Sequence, residues 1–414
     1  MPPRNEKPAT LILPSNPDNG ASAPPPSSRR SAVPWLLAAF FVPLYIYLNL
    51  VSLQETLPDS YEFPDFHASY AALDHAARGE PVYDLESLMP FLYPPFFLIV
   101  LWPLSWLGEP MAVMVWLHLQ TVFLVISLVA LLAVFWPPRR TLTAWTIVLF
   151  TSFSPVLLNN LFGQTNLFCL AFLSLFVLGY TRGGERSPRA RLWDIGGALA
   201  LSAAISTRLL PLALLILAAI RRRYRFSLWT AAFVGIEALA AGARVGFATE
   251  WHYFSSYVFH LHDLRNMREI SLLALGHLLA PPWLGTLLFA LAVAAGLAVF
   301  FASVYGPIRR RPLSPALPIA FVVASMALFA PLLEYHHYTI LLVPYALILG
   351  ELMRRESWHL TSALPVFLSS AIVSASNYFS HFGYRAMAFA ALAGAALIWA
   401  YAVWLIQRTS GDGD

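Results

Sequence analysis

At 414 residues the chain is 58% hydrophobic and only 12% charged, with a mean hydropathy of +0.63, which excludes a soluble domain of this length. The net charge is +4 and comes from arginines in short clusters between apolar runs. That pattern implies contact with anionic lipid and speaks against nucleic-acid binding. The apolar runs recur at roughly 17–25 residues, the length that spans a bilayer as helix, and the period-two alternation of an outer-membrane barrel is absent. Backbone groups in lipid must be bonded internally, so an all-α, polytopic membrane helical bundle is expected. Phosphate-cradling GxxxxGK[ST], GxGxxG and paired CxxC motifs are missing, which makes cytosolic nucleotide chemistry a poor fit. The single Cys169 lies inside an apolar run and reads as packing.

In chain order, residues 1–33 are rich in Pro, Ser, Asn and Ala, have no apolar periodicity, and are expected to form a disordered cytoplasmic tail. The first long apolar run begins near Pro34, too late for a cleaved signal peptide, so an uncleaved first span is expected. About twelve crossings are predicted, over 34–53, 112–135, 141–158, 163–180, 193–206, 209–220, 227–243, 284–304, 315–333, 338–350, 361–377 and 385–406. Together 34–406 form one membrane-embedded domain, and 407–414 a second cytoplasmic tail. The stretch 92–107 is also apolar, but a full crossing would invert every later loop, so it is expected to be re-entrant or interfacial.

Alternation puts PPRR (137–140), RGGERSPRAR (182–191), RRRYR (221–225), RRR (309–311) and Arg354-Arg355 on one side of the membrane. Of the 26 cations only Arg78, Arg208, Arg244, Arg265, Arg268 and Arg385 fall elsewhere. The positive-inside rule makes the clustered side cytoplasmic, with both termini there. The acids run the other way, from Glu55 through Glu86 and again at Glu250, Asp263, Glu269 and Glu334. Any site is therefore expected on the extracytoplasmic face of the cell membrane.

The outer loop 54–92 is long for this chain and is expected to be ordered, with short helices. Its stretch DFHASYAALDHAARGEPVYD (Asp65–Asp84) crowds charges into an apolar protein. Asp65 to Arg78 reads as a helix with Phe66, Tyr70, Leu73 and Ala77 on one face, and Gly79 as its stop. Asp65 either caps that helix or serves as a carboxylate poised to take a proton from a hydroxyl.

Residues 193–220 are two short apolar runs broken at Ser206-Thr207-Arg208-Leu209-Leu210-Pro211, which predicts a hairpin that stops part-way and sets Arg208 at the floor of a cavity. Arg208 there binds an anion such as a lipid phosphate, or pairs with an acid such as Glu237. Glu334-Tyr335-His336-His337-Tyr338 marks the outer end of another span. Vicinal imidazoles on a helix point to different sides and further ligands at recognisable spacing are missing, so no metal site is expected. Asn159, Asn160, Gly163, Gln164 and Asn166 form a neutral polar patch at a further outer turn.

Five pieces occur in order between Asp65 and Pro344. They are Asp65-Phe66 with Tyr70 and then Gly79-Glu80-Pro81-Val82-Tyr83-Asp84; Tyr93-Pro94-Pro95; Gly163-Gln164-Thr165-Asn166; Thr207-Arg208-Leu209-Leu210-Pro211; and Glu334-Tyr335-His336-His337. In this order they resemble the polyprenol-phosphate-mannose-dependent glycosyltransferases of family 87, in the GT-C membrane superfamily. The resemblance implies a GT-C-like bundle with an outer cavity. Its chemistry would be inverting transfer of a sugar, mannose first, from a polyprenyl phosphate to an acceptor hydroxyl on a glycan or lipid. It implies Asp65 as general base, with Arg208, His336, His337, Tyr93, Gln164, Asn166, Glu334 and Tyr70 around the substrates and no cofactor. Arg208 stands where many relatives carry Lys. A different class, a multi-span transporter or flippase of a lipid-linked or anionic substrate, would also use a broken hairpin with a buried Arg, though no repeat relates the two halves. A non-catalytic scaffold is the third reading and would tolerate loss of Asp65.

Overall fold

The computed structural model describes residues 32–56, 63–84, 90–184, 187–263, 269–310, 313–355 and 358–411. The tail expected over 1–33, except its last two residues, lies outside them, as do Arg265, Arg268 and parts of the 54–92 loop. Every regular element among the described residues is helical. In order they are α1 (Val33–Thr56), α2 (Pro64–Arg78), α3 (Phe96–Leu101), α4 (Glu109–Val134), α5 (Arg140–Ser152), α6 (Ser154–Phe162), α7 (Asn166–Arg182), α8 (Pro188–Thr207) and α9 (Ala213–Ile220). There follow α10 (Tyr224–Val245), α11 (Phe247–Ser255), α12 (Leu272–Leu279), α13 (Pro282–Val299), α14 (Gly306–Arg310), α15 (Ala316–Phe329), α16 (Leu342–Arg354), α17 (Leu360–Ser376) and α18 (Tyr384–Gly411). The last helix runs through most of the tail expected over 407–414.

Six helical runs are long and apolar enough to cross a bilayer, in α1, α4, α10, α13 continued to Arg309, α17 and α18; α5 and α6, bent by 47°, make a seventh if they act as one span. The chain is a multi-span membrane protein. The twelve expected crossings all coincide with helix, but several are too short to span by this measure: α7, α9, α15 and α16. For α15 and α16 the reason is burial, since nearly every residue of theirs lies inside the bundle, where a helix need not match the lipid thickness. The segment 92–107 becomes α3 and a 3₁₀ turn, Trp102–Trp106. That is too short to cross, and Phe97, Leu98 and Leu101 are fully buried.

Two apolar cores result. The larger joins the central helices around Phe153, Leu201, Leu317 and Tyr345. The smaller, with Phe66, Leu73, Tyr83, Phe97 and Trp116, fixes α2 and α3 to the end of the bundle where α4 and α7 begin. The clustered arginines lie at the other end. There Arg182 donates to Ala133 O, Arg223 pairs with Asp194 and stacks on Tyr180, and Arg221 donates to Leu313 O.

Candidate active site

Pro64 starts α2 and Phe63 is its N-cap, so Asp65 lies in the first helical turn instead of capping, and its carboxylate is not consumed by backbone N–H groups. Phe66, Ala68, Ser69, Ala72 and Leu73 form the buried face. Ala77, expected there, faces solvent. Gly79 ends the helix at a φ of 71°.

The position of α2 is set by a glycine. Gly163 closes α6 at a φ of 68°, and a Cβ at this point would lie 2.7 Å from Phe66 Cβ. This close approach puts Asp65 beside Gln164, whose Nε2 donates to Asp65 Oδ2. Gly163→Ala adds left-handed strain of about 1–3 kcal/mol and pushes α2 away. A shift of order 1 Å at a reacting group costs about a hundredfold in rate, so initial rates on monodisperse protein are expected to fall by that order. An unchanged rate would show that α2 does not depend on this contact.

The same Gln164 amide faces both ways. Its Oε1 accepts from Tyr93 Oη at 2.7 Å and from Arg208 Nη2 at 3.3 Å. Arg208 follows the end of α8 in extended conformation, before a 3₁₀ turn with Pro211 and then α9, so the expected broken hairpin is present. The alternative pairing with Glu237 does not form, because that carboxylate takes the hydroxyls of Ser202 and Ser206. The Arg208 guanidinium instead meets neutral groups: Thr165 Oγ1 at 3.3 Å, His337 Nε2 at 2.8 Å, Gln164, and the Tyr93 ring at 5.3 Å. Tyr93 is itself held by a clamp, since the hydroxyls of Tyr257, Tyr253 and Tyr83 donate to the carbonyls of Phe91, Leu92 and Tyr93 in turn.

Glu334 caps the 3₁₀ segment Tyr335–Leu341, and its backbone N–H donates to His337 Nδ1 at 3.0 Å. Burial, then the charges of Arg208 and His336, push His337 well below the usual imidazole range. The neutral ring therefore carries its proton on Nε2, which faces Arg208. Two donors 2.8 Å apart leave no room between them and are satisfied together by an acceptor lying beside both, such as a phosphate oxygen. His336 Nε2 lies 3.2 Å from Glu334 Oε2. Contrary to the expectation for vicinal imidazoles, ligand atoms of Glu334, His336 and His337 all lie within 4.8 Å of one another, a set able to hold a metal ion. The 3₁₀ turn sets His337 beside Glu334, three residues back, the His336 and His337 rings meet at 4.5 Å, and the Arg208 charge at the same point opposes a cation.

Burial raises the Asp65 carboxyl to about 6; His336 opposes, Glu334 adds, and Gln164 and Arg208 oppose. Glu334 goes the other way, because contact with His336 and the Arg208 charge outweigh its burial and hold it below the usual range. Two acids pushed apart in this manner divide the roles of proton acceptor and permanent anion.

Arg208, His337, Tyr93, Gln164 and Glu334 line a cavity of about 850 Å³ whose remaining wall, from Leu209, Leu210, Ala213 and Ile216, is apolar. It shares Leu210, Ala213, Ile216, Ala330 and Pro331 with an adjoining apolar cleft of about 320 Å³ between α9, α13 and α15. Two expected site residues stand apart. Tyr70 donates to Leu107 O in the small core, and Asn166 is buried at the start of α7, its backbone N–H bonded to Asn159 Oδ1. Thr165 and Thr207, which belong to two of the five sequence pieces but were given no role, join the site, as does Tyr253, which nothing in the sequence marks.

The model of glycosyltransferase family 87 matches residues 91–333. A polyprenol-phosphate-mannose-dependent alpha-(1-2)-phosphatidylinositol mannoside mannosyltransferase of Mycobacterium tuberculosis is 27% identical over 287 residues, 64% of this chain and 62% of the relative's length. The chain thus spans less than two thirds of that relative. Crystal structures of ArnT from Cupriavidus metallidurans are similar at 16% identity. The apo form has a TM-score of 0.41 over 91% of this chain and 77% of that one, and the form bound to undecaprenyl phosphate has 0.39 over 92% and 79%. By the family match over more than half its length, the chain belongs to glycosyltransferase family 87.

Proposed function

We propose that the 34–406 domain transfers a sugar, mannose first, from a polyprenyl phosphate to an acceptor hydroxyl on the extracytoplasmic face of the cell membrane, with inversion. The observation that carries this reading is Gln164, whose one amide joins the Asp65 carboxylate to the Arg208 guanidinium at the polar end of a mostly apolar cavity. A lipid phosphate fits such a space. Its oxygens meet Arg208 and His337 Nε2–H, and its prenyl chain follows α9 into the adjoining cleft. The name of the mycobacterial relative favours mannose.

Asp65 accepts the proton of the acceptor hydroxyl as that oxygen bonds to the anomeric carbon. The bond from that carbon to the phosphate oxygen breaks, and its electron pair leaves on the polyprenyl phosphate, where Arg208 and His337 stabilise the charge. Base and leaving group on opposite faces of the carbon give inversion. The arginines at the end of the bundle remote from Asp65 support a cytoplasmic position for that end and both termini.

Only ionised Asp65 accepts a proton, so kcat/KM is expected to rise about tenfold per pH unit to a plateau above about 6. A rate independent of pH across that range would remove Asp65 as the base. Purified protein in proteoliposomes with labelled polyprenyl phosphate sugars tests the function. Label on a hydroxyl acceptor supports transfer; label moved across the bilayer with the carrier bond intact makes the chain a transporter or flippase.

A further inference from the structure

A second cavity, of about 190 Å³, opens between α1, α4 and α6, and Tyr45, Asn49, Phe63, His118, Thr121 and Asn160 line it. Asn160, three residues before Gly163, lines it, whereas Gln164, directly after that glycine, lines the Arg208 cavity. Phe63, the N-cap of α2, forms its wall toward Asp65. Neither Lys, Arg nor an acid lines it.

Asn160 is 5% exposed, and its amide orientation is fixed by its neighbours. Asn49 Nδ2 donates to Tyr45 O, so Asn49 Oδ1 is an acceptor, and the Asn160 atom 2.7 Å from it must be Nδ2. Nδ2 also donates to Tyr45 Oη at 2.9 Å. This leaves Asn160 Oδ1 as a buried acceptor without a partner among the described residues, a costly arrangement unless a ligand supplies a donor. At the rim His118 Nδ1 donates to Met114 O at 2.7 Å, so Nε2 is a second acceptor. Thr121 adds a hydroxyl. An anion finds no cation here, and an apolar chain would strand the amide. A group rich in hydroxyl donors meets both acceptors and packs its carbon face on Tyr45 and Phe63.

We propose that this cavity is the acceptor subsite, holding a neutral polyhydroxylated ring with one hydroxyl directed at Asp65. The proposal rests on the glycosyltransferase reading above. The donor phosphate and the acceptor then reach Asp65 from two cavities whose linings flank Gly163 in the chain. Ile46 and Leu50, exposed on α1 beside the cavity, give a lipid-borne headgroup lateral access, while a free sugar would enter from the water.

Saturation-transfer NMR on the full chain in nanodiscs, with methyl α-mannoside, octyl α-mannoside and octanol as probes, tests this. Saturable binding of octyl mannoside is expected, weakened at least fivefold by Thr121→Val and by His118→Leu, with undecaprenyl phosphate affinity unchanged. Equal binding of the methyl glycoside identifies the ring itself as the recognised group, and preference for the octyl form a lipid-borne one. Octanol competing as well as octyl mannoside, or unaltered glycoside affinity in both variants, overturns the subsite. Transfer from a polyprenyl phosphate sugar with unaltered glycoside affinity sinks the subsite and leaves the enzyme; glycoside binding at the cavity with no transfer from any such donor does the reverse.

Discussion

Asp65→Asn is expected to lower sugar transfer by about 10²–10⁴-fold, the usual contribution of a positioned general base, while donor affinity stays within about twofold of the parent. The amide is isosteric and keeps its oxygen toward Gln164 Nε2, so Gln164 Oε1 stays with Tyr93 and Arg208 and α2 keeps its place on Gly163. Only the ability to take a proton is lost. Single-turnover rates with bound donor separate the two effects, since they report chemistry without binding. Full turnover in this variant would remove Asp65 as the base.

Arg208→Ala is expected to act on the other substrate. Hydrogen bonds to a charged group contribute about 1.5–3 kcal/mol each, so losing the guanidinium should weaken polyprenyl phosphate binding by about 10–100-fold, a tenfold change being 1.4 kcal/mol. The rate with donor saturating should fall as well, because the same charge faces the leaving phosphate. Arg208→Lys keeps the charge but loses the fork that reaches Thr165, Gln164 and His337 together. It should recover part of the affinity. Titration of undecaprenyl phosphate against the three proteins reads this directly. Equal affinity in all of them would make Arg208 a structural cation held by Tyr93 and Gln164.

Asp65 and Arg208 stand out in the sequence because each is a charge placed where an apolar chain has little reason to keep one, and the structure brings both onto Gln164. The break between α8 and α9 was legible too, from Pro211 and two runs too short to cross. The role of Gln164 was not, because an amide in a polar turn has no distinguishing local signal. Its contacts with Asp65 and Arg208 come from elements 99 and 44 residues away. The His336–His337 geometry departs from the expectation because the directions of successive Cβ atoms do not fix where two rings end: the imidazoles meet edge to face with centroids 4.5 Å apart. The number of crossings suffered from a similar limit: apolar length alone does not separate a lipid-facing span from a short helix buried among others, such as α15 or α16.

An experimental structure of the chain with a non-hydrolysable polyprenyl phosphate sugar bound measures the central claim most directly. The phosphate is expected against Arg208 and His337 Nε2, with the anomeric carbon open on its far side to Asp65. A phosphate seated away from Arg208, or an anomeric carbon screened from Asp65, would contradict it.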